Sequence, residues 1–456
     1  MSSKKTRRDF LKTSLYGTGA AIVGVGIIGQ GCAPSRPTAS KYMGDFIAPK
    51  LDKIRCGFIG VGSRGSGHMS WTTGYKDAEV VAIADPHIPT VEKQLEELKE
   101  RGITSVKTYT NGDNDYLQML KKEKLDVVII ATPWEWHAKQ AIAAMEAGVH
   151  AFVEVPLGIT MEEMWQIVDT SERTQKHCMM MENVNYGREE LMYLNMCHQN
   201  VIGELLHGEA AYIHELRGQM NQEEHGTGSW RTYHYSKRNG NLYPTHGLGP
   251  VAQYMNLART DDMFNSIVSY SSPAIGRELF AKKNFSAEHK WNKIGYKCGD
   301  INTSIIKTNL GRTIMVQWDE TSPRPYSRLN LIQGTKGTLS GFPTRIAIEG
   351  DDHHHWTEGE ELEKYYEKYE HPLWLRMGEE AKKDGGHGGM DYIMRARIFE
   401  CLRNEEPLDQ NVYEGAFWSA VGILSEKSVK EGGMPQEFPD FTRGNWKNTK
   451  PLGIVI

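Results

Sequence analysis

The chain has 456 residues, 39% hydrophobic and 24% charged, with a formal net charge of −5 and no long block of one sign. That length suits two domains or one elaborate one, and the charge balance offers no footprint for nucleic acid or an anionic membrane surface. Six scattered cysteines (Cys32, Cys56, Cys178, Cys197, Cys298 and Cys401) show no metal spacing, so free, mostly buried thiols are expected rather than a disulfide framework or a metal centre.

The first element is an address. Thr6-Arg7-Arg8-Asp9-Phe10-Leu11-Lys12 matches the twin-arginine export signal. The Gly-rich apolar run from Ala20 to Ile28 is too short to span a bilayer as a stable helix. Gly29-Gln30-Gly31-Cys32 resembles a lipoprotein cleavage site, with Cys32 as lipid acceptor. Residues 1–32 therefore read as a signal segment and 33–52, with Pro34, Pro37 and Pro49, as a linker. The expected location is the periplasm, free or anchored to the membrane through a lipid on Cys32. The twin-arginine route resembles a system that carries folded proteins, so a cofactor made in the cytoplasm can be loaded before export.

From Ile54 strand-like and helix-like segments alternate. IRCGFIG, EVVAIAD, LDVVIIAT, HAFVEVP and CMMMENV read as strands, with TVEKQLEELKE and HAKQAIAAMEAG as helices between them. This order implies a parallel sheet with right-handed crossovers. Gly60-Val61-Gly62-Ser63-Arg64-Gly65 follows the first strand, and Asp85 ends the second, twenty residues after Gly65. Strand, G-x-G-x-x-G turn, helix and acidic residue together form the dinucleotide fingerprint. The turn brings backbone and a helix N-terminus to the pyrophosphate. Asp85 would accept hydrogen bonds from ribose hydroxyls and repel a 2′-phosphate, which selects NAD over NADP. Thr132 to His137 and Glu154-Val155-Pro156 leave the fourth and fifth strands, where an open α/β sheet places its ligands.

These motifs resemble the glucose–fructose oxidoreductase / inositol dehydrogenase / MocA superfamily. The resemblance implies an N-terminal Rossmann domain followed by an α/β domain with an open, mostly antiparallel sheet. Most of its members carry Glu-Lys-Pro, and this chain has Val155 in the lysine position. WEWH at 134–137, MENVNY at 181–186, AYIHELR at 211–217, KRNGNLYPTHGLGP at 237–250 and GGHGGMD at 385–391 are similar to glycoside hydrolase family 109, whose members resemble NAD-dependent α-N-acetylgalactosaminidases. By that resemblance Ser63, Arg64, Asp85, Trp134, Glu135, Trp136, His137, Glu154, Val155 and Asn183 would touch NAD, beside Gly60, Gly62 and Gly65 of the turn. The sugar would meet Tyr212, Arg231, Tyr243, Pro244, Thr245, His246 and Tyr326.

Read on its own, the second half shows strands at EAAYIHEL, INTSIIKTNL, TIMVQWDE and LNLIQG, an antiparallel sheet over about 205–350. DYIMRARIFECLRN and EGAFWSAVGILSEKSVKEG are helical by period and are expected to pack back on the first domain. The expected boundaries are 53–184 for the NAD-binding domain and 185–456 for the substrate domain. An open sheet also offers a face through which copies of the chain could associate. NGNLYPTHGLGP sets Tyr243 and His246 among glycines and prolines of little packing value, which favours a functional role. HGGMD is either a second polar loop near the site or a helix start with Asp391 in its first turn, and the helix start is favoured. Asp351 to His355 reads as a solvated loop, since adjacent residues rarely converge on one metal.

Outside the cytoplasm there is no pool of free NAD, so a net dehydrogenase would stop after one turnover. An oxidation–elimination–addition–reduction cycle at the sugar has no net redox change and escapes that limit. The expectation is a hydrolase releasing terminal α-N-acetylgalactosamine, with His246 and Tyr243 handling protons and Arg231 and Tyr212 positioning the sugar. Two other readings remain open: an NAD-dependent sugar oxidoreductase or epimerase, and a non-catalytic NAD-loaded sugar-binding lipoprotein.

Overall fold

The computed structural model describes residues 41–351 and 354–454. The twin-arginine segment, Cys32, the start of the linker, and Asp352 and His353 lie outside the described residues. Five cysteines are described, and all are free and buried.

The first layer is a six-stranded parallel sheet: β1 Ile54–Ile59, β2 Ala78–Ala84, β3 Lys107–Tyr109, β4 Val127–Ile130, β5 His150–Val153 and β6 Cys178–Met180, in the order 3-2-1-4-5-6. That order reverses direction at β1 and β4, so the crevice opens beyond their carboxyl ends. β4 is buried at every position, as expected of a parallel strand covered on both faces. The crossovers are helices α1 Ser63–Gly74, α2 Ile88–Glu100, α3 Tyr116–Lys122, α4 Trp134–Glu146 and α5 Met161–Thr174. α5 opens with a capping box between Thr160 and Glu163, which satisfies two backbone donors at its start.

Helices α6 Arg188–His198, α7 Thr227–Lys237, α8 Thr245–Tyr254 and α9 Gly276–Asn284 accompany a second, nine-stranded sheet. Its strands are β7 Leu205–Ile213, β8 Phe264–Ser271, β9 Ile301–Thr308, β10 Thr313–Asp319, β11 Leu331–Gly334, β12 Gly337–Ser340, β13 Arg345–Ile348, β14 Thr357–Glu358 and β15 Gln436–Glu437. They lie in the order 14-13-12-11-7-10-9-8-15. Pairing is antiparallel except between β7 and β10, which run parallel from His207–Thr313 to Ile213–Asp319. The sheet thus reaches past the expected span, to β14 and β15. β3 is three residues long, and serines and an asparagine interrupt the apolar positions of β8, so neither carries a readable pattern.

The C-terminal helices are α10 Glu363–Tyr369, α11 Pro372–Asp384, α12 Met390–Asn404 and α13 Val412–Lys430. α12 lies on α1, with Phe399 5.3 Å from Trp71 and 5.1 Å from Tyr75 between ring centroids. α13 is buried over most of its length and touches both sheets. Leu157 N donates to Ser419 Oγ on one side of it, and Ser269 N donates to Ser428 Oγ on the other. One apolar core therefore runs through both layers. The last stretch of the expected linker, residues 41–52, has no helix or strand yet packs on this body: Met43 is buried, and its N–H donates to Tyr413 Oη.

Candidate active site

A cavity of about 570 Å³ lies where the crevice of the first sheet faces β7, α7 and α8. The glycine turn forms one wall. Gly60 holds φ +80°, and a side chain on Gly65 would collide with the Gly60 carbonyl, so the turn closes only with glycine at both. No side chain caps α1, and no acidic residue occupies its first turn. Its first N–H groups are left facing the cavity, a ready anion cradle. Asp85 Oδ2 accepts from Val61 N at 2.9 Å and Oδ1 from His87 N at 2.8 Å. Two backbone bonds aim the carboxylate at the turn while each oxygen keeps a further acceptor site. These residues fit a dinucleotide.

The opposite wall is built by close helix-to-strand contact. A side chain on Gly247 would collide with the Ala211 backbone on β7, and one on Gly249 would press on Asn185 and Glu182. The HGLGP run therefore seats α8 against β7 and against the exit of β6. That seating delivers His246 to Glu182: Nδ1 lies 2.6 Å from Oε1 of a carboxylate with 0% exposure. A carboxylate only accepts, so Nδ1 carries the proton and Nε2 is left as the base. Tyr243 and Tyr212 flank the imidazole, their centroids 5.0 and 5.2 Å from it. Burial pushes the Tyr243 phenol above its usual value, with Arg231 pulling the other way, so Tyr243 is a proton donor at neutral pH. Arg231 makes no ion pair among the described residues. Its guanidinium sits 5.0 Å from the Trp134 ring, 5.3 Å from Trp230 and 4.9 Å from Tyr243. Its Nε is buried without a partner, a donor reserved for a ligand.

Between the walls runs a charged network. Arg64 Nε donates to Glu154 Oε1 at 2.9 Å, and Arg64 Nη1 donates to Asp391 Oδ2 at 2.8 Å. Arg395 Nε donates to His68 Nδ1 at 3.0 Å, so His68 carries its proton on Nε2 and donates it to Glu154 at 2.7 Å. Burial keeps His68 neutral, lowering its pKa. Burial also opposes the charge of Glu154, but Arg64 and the His68 bond outweigh it and hold the carboxyl far below the usual range. Asp391 is held low in the same way, burial being outweighed by its bonds to His387 and Arg64.

Gly60, Gly62, Ser63, Arg64, Asp85, Trp134, Trp136, His137, Glu154, Val155, Asn183, Tyr212, Arg231, Tyr243 and His246 all line the cavity. Gly65, Glu135, Pro244, Thr245 and Tyr326 do not. Gly65 packs beneath the turn. Glu135 faces His234 at 3.3 Å. Pro244 and Thr245 begin α8, with Thr245 buried, and Tyr326 stands at the rim, 40% exposed. Three lining residues have their polar atoms committed elsewhere. Both nitrogens of His137 face the carbonyls of Pro156 and Thr132, at 2.6 and 2.8 Å, and brace the loop. Asn183 Nδ2 donates to Asp391 at 2.7 Å, and the Arg64 guanidinium serves Glu154 and Asp391. HGGMD is a helix start, as expected, but His387 and Asp391 also reach the cavity network.

Sequence reasoning passed over Glu182, His68, His214 and the role of Asp391. Glu182 was within reach, since it leaves the carboxyl end of β6, where such sheets bind ligands. His68, one turn into α1, belongs to no motif.

The family model "Oxidoreductase family, NAD-binding Rossmann fold" matches residues 54–182, and "Glycosyl hydrolase 109, C-terminal domain" matches residues 186–448. Glycosyl hydrolase family 109 protein 1 of Akkermansia muciniphila is 58% identical over 100% of both chains. An α-N-acetylgalactosaminidase of Shewanella oneidensis is 55% identical over 98% of both. Levoglucosan dehydrogenase, solved with NADH and levoglucosan, shares the fold at 17% identity with a TM-score of 0.63, over 85% of this chain and 100% of that one. NAD is thus the cofactor that the first layer binds, and the chain belongs to glycoside hydrolase family 109.

Proposed function

We propose that this NAD-dependent glycoside hydrolase releases terminal α-linked N-acetylgalactosamine, the activity named for its Shewanella relative. The observation that carries the reading is the His246–Glu182 pair in the same cavity as the glycine turn. Bound there, the nicotinamide would supply a hydride acceptor, and in its reduced form a hydride donor, for C3 of the sugar. Next to a C3 carbonyl the C2 hydrogen is acidic, and His246 Nε2 takes it, with the resulting imidazolium stabilised by Glu182. Tyr243 Oη, protonated because it is buried, donates to the departing C1 oxygen; water then adds to C1 of the unsaturated ketone, giving its proton back to the Tyr243 phenolate, and the His246 imidazolium returns a proton to C2. Arg231 and Tyr212 orient the ring. Val155 lines the cavity without a titratable group, so no lysine competes for the proton-transfer role.

Asp85 and the N–H groups of the turn would hold the ribose and pyrophosphate, with Ser63, Trp134, Trp136 and Val155 around them. The test is to incubate purified protein with nitrophenyl α-N-acetylgalactosaminide in deuterium oxide. Phenolate should appear without net growth of NADH absorbance, and deuterium should appear at C2 of the released sugar. Phenolate release with C2 hydrogen retained, no isotope effect from C2 or C3, and full activity after NAD is stripped would refute the cycle.

The reading includes export by the twin-arginine route, with Cys32 as lipid anchor, and self-association through the outer face of the second sheet. There Tyr270 and Ile305 stand 64% and 38% exposed. Replacing Arg7 and Arg8 with lysine should leave the protein in the cytoplasm, measured by cell fractionation, and normal export of that variant would exclude the route.

A further inference from the structure

One stretch of the second layer reaches back over the cofactor site. Residues 219–228 lead into α7, and Gln219, Glu224, His225 and Gly226 line the same cavity as the glycine turn. The stretch is closed on itself. A side chain on Gly228 would collide with the Gln219 carbonyl, Gln222 Oε1 accepts from Gly228 N at 3.0 Å, and Gly226 turns the chain at φ +101°. Its ends therefore touch, as in a compact surface loop with a shape of its own. The loop also has its own support. Met220 joins Ala281 and Trp291 in a small apolar cluster apart from the main core. Trp291 Nε1 donates to the Met220 carbonyl at 2.8 Å, and Lys290 Nζ donates to the Glu223 carbonyl at 2.7 Å. From that support the loop projects to the first layer. The His225 ring lies flat on His87, with centroids 3.8 Å apart and planes 12° apart. Thr90 Oγ1, in the first turn of α2, lies 2.7 Å from His87 Nδ1 and 3.4 Å from His225 Nε2.

His225 is exposed, so the stack does little for the core; what it joins is two edges of the cavity. His87 is the residue whose N–H aims Asp85. Just past the other end of the loop, Trp230 meets Trp134 with centroids 5.1 Å apart, and Arg231 follows. Asp85 marks the ribose end of the site and Arg231 its sugar end, so the loop crosses the cavity along the length a dinucleotide would occupy. We propose that residues 219–228 are a strap over bound NAD, fastened by the stack of His225 on His87, and that the cofactor enters or leaves only when this stack opens. The proposal rests on NAD as the cofactor and is independent of which glycoside is cleaved. A loop carried by a small separate cluster can open while both sheets stay folded. One pair of stacked rings is a weak fastening, so the strap slows exchange without sealing the site. Slow exchange suits an enzyme that regenerates its cofactor in every turnover.

The test follows the exchange of bound NAD for an excess of radiolabelled NAD, by rapid gel filtration of the holoenzyme. Wild type is compared with His225→Ala, His87→Ala, the double variant and His225→Phe. Exchange should quicken roughly tenfold in each single alanine variant and no further in the double variant, because either change removes the same stack. His225→Phe keeps a ring on His87 and should stay within about twofold of wild type. His87→Ala retains the backbone N–H that holds Asp85, and urea midpoints near wild type report that the variants are folded. Unchanged exchange in the single variants overturns the strap, as does wild-type exchange complete within the mixing time. Effects that multiply in the double variant also overturn it, by giving each ring its own contact with the nucleotide. Wild type that takes up no labelled NAD refutes the cofactor itself, and the strap falls with it.

Discussion

Replacing His246 with alanine should lower kcat by roughly 10²–10⁴-fold, the usual cost of losing a general acid or base, while NAD stays bound. The residue stands on α8 in the second layer, away from the glycine turn, so the nucleotide keeps its holdings. Its Nδ1–H is committed to Glu182, which is fully buried, leaving Nε2 the basic atom in the cavity. The loss should fall on kcat, with KM nearly unchanged, because a C2 proton transfer occurs only on the way to the transition state. Stopped assays of nitrophenol release, with the dinucleotide freed by denaturation as the control, decide the matter. A variant within a few-fold of wild type would remove His246 from the chemistry.

Arg64→Met should cost about 3 kcal/mol of folding stability, read as a lower urea midpoint at pH 7. Glu154 and Asp391 have side chains only 11% and 2% exposed, and both lose their main cation. The low end of the range applies because the Arg64 side chain is itself 33% exposed. Asp391 keeps Arg395 at 3.5 Å, and Glu154 keeps His68. The pH dependence has a definite sign. Both carboxyls titrate below their unfolded values, so their contribution is complete above the ordinary carboxylate range near pH ~4 and is lost as pH falls through the lower folded values. Without Arg64 both folded values rise, so the variant should unfold at a higher pH than wild type in an acid titration followed by circular dichroism. Coincident acid transitions would show that Arg64 does not hold these charges.

The first layer was legible because its signals are local: buried β-branched runs, a glycine turn, and an acidic residue at a fixed distance. The second sheet was only partly legible. Its parallel β7–β10 pair and the short strands β12 to β15 take their places from tertiary pairing, which no local period announces. The site divides in the same way. Tyr243 and His246 stand out because a Gly- and Pro-rich stretch has little other use for such rings. Glu182 is legible as an acidic residue at a strand end that faces the crevice, but its role is not, because only the packing of α8 brings His246 to it. Arg64 was read as a nucleotide contact from the family resemblance, and only Asp391, far along the chain, shows that its guanidinium also joins α1 to α12.

The position of α12 and α13 bears on the order in which the molecule can be completed. Helix α1, which carries the phosphate cradle, is covered by residues 390–404, and β6 is backed by residues 412–430. Both partners leave the ribosome after strands β7 to β14. During synthesis the nucleotide-binding sheet therefore waits, with apolar faces uncovered, through the making of all of the second sheet but β15. Contacts of such long sequence separation fold slowly and late. Cofactor capture then belongs to the finished chain rather than to the nascent one, and a fragment ending before residue 390 would have neither Asp391 to clamp Arg64 nor Arg395 to set the proton on His68.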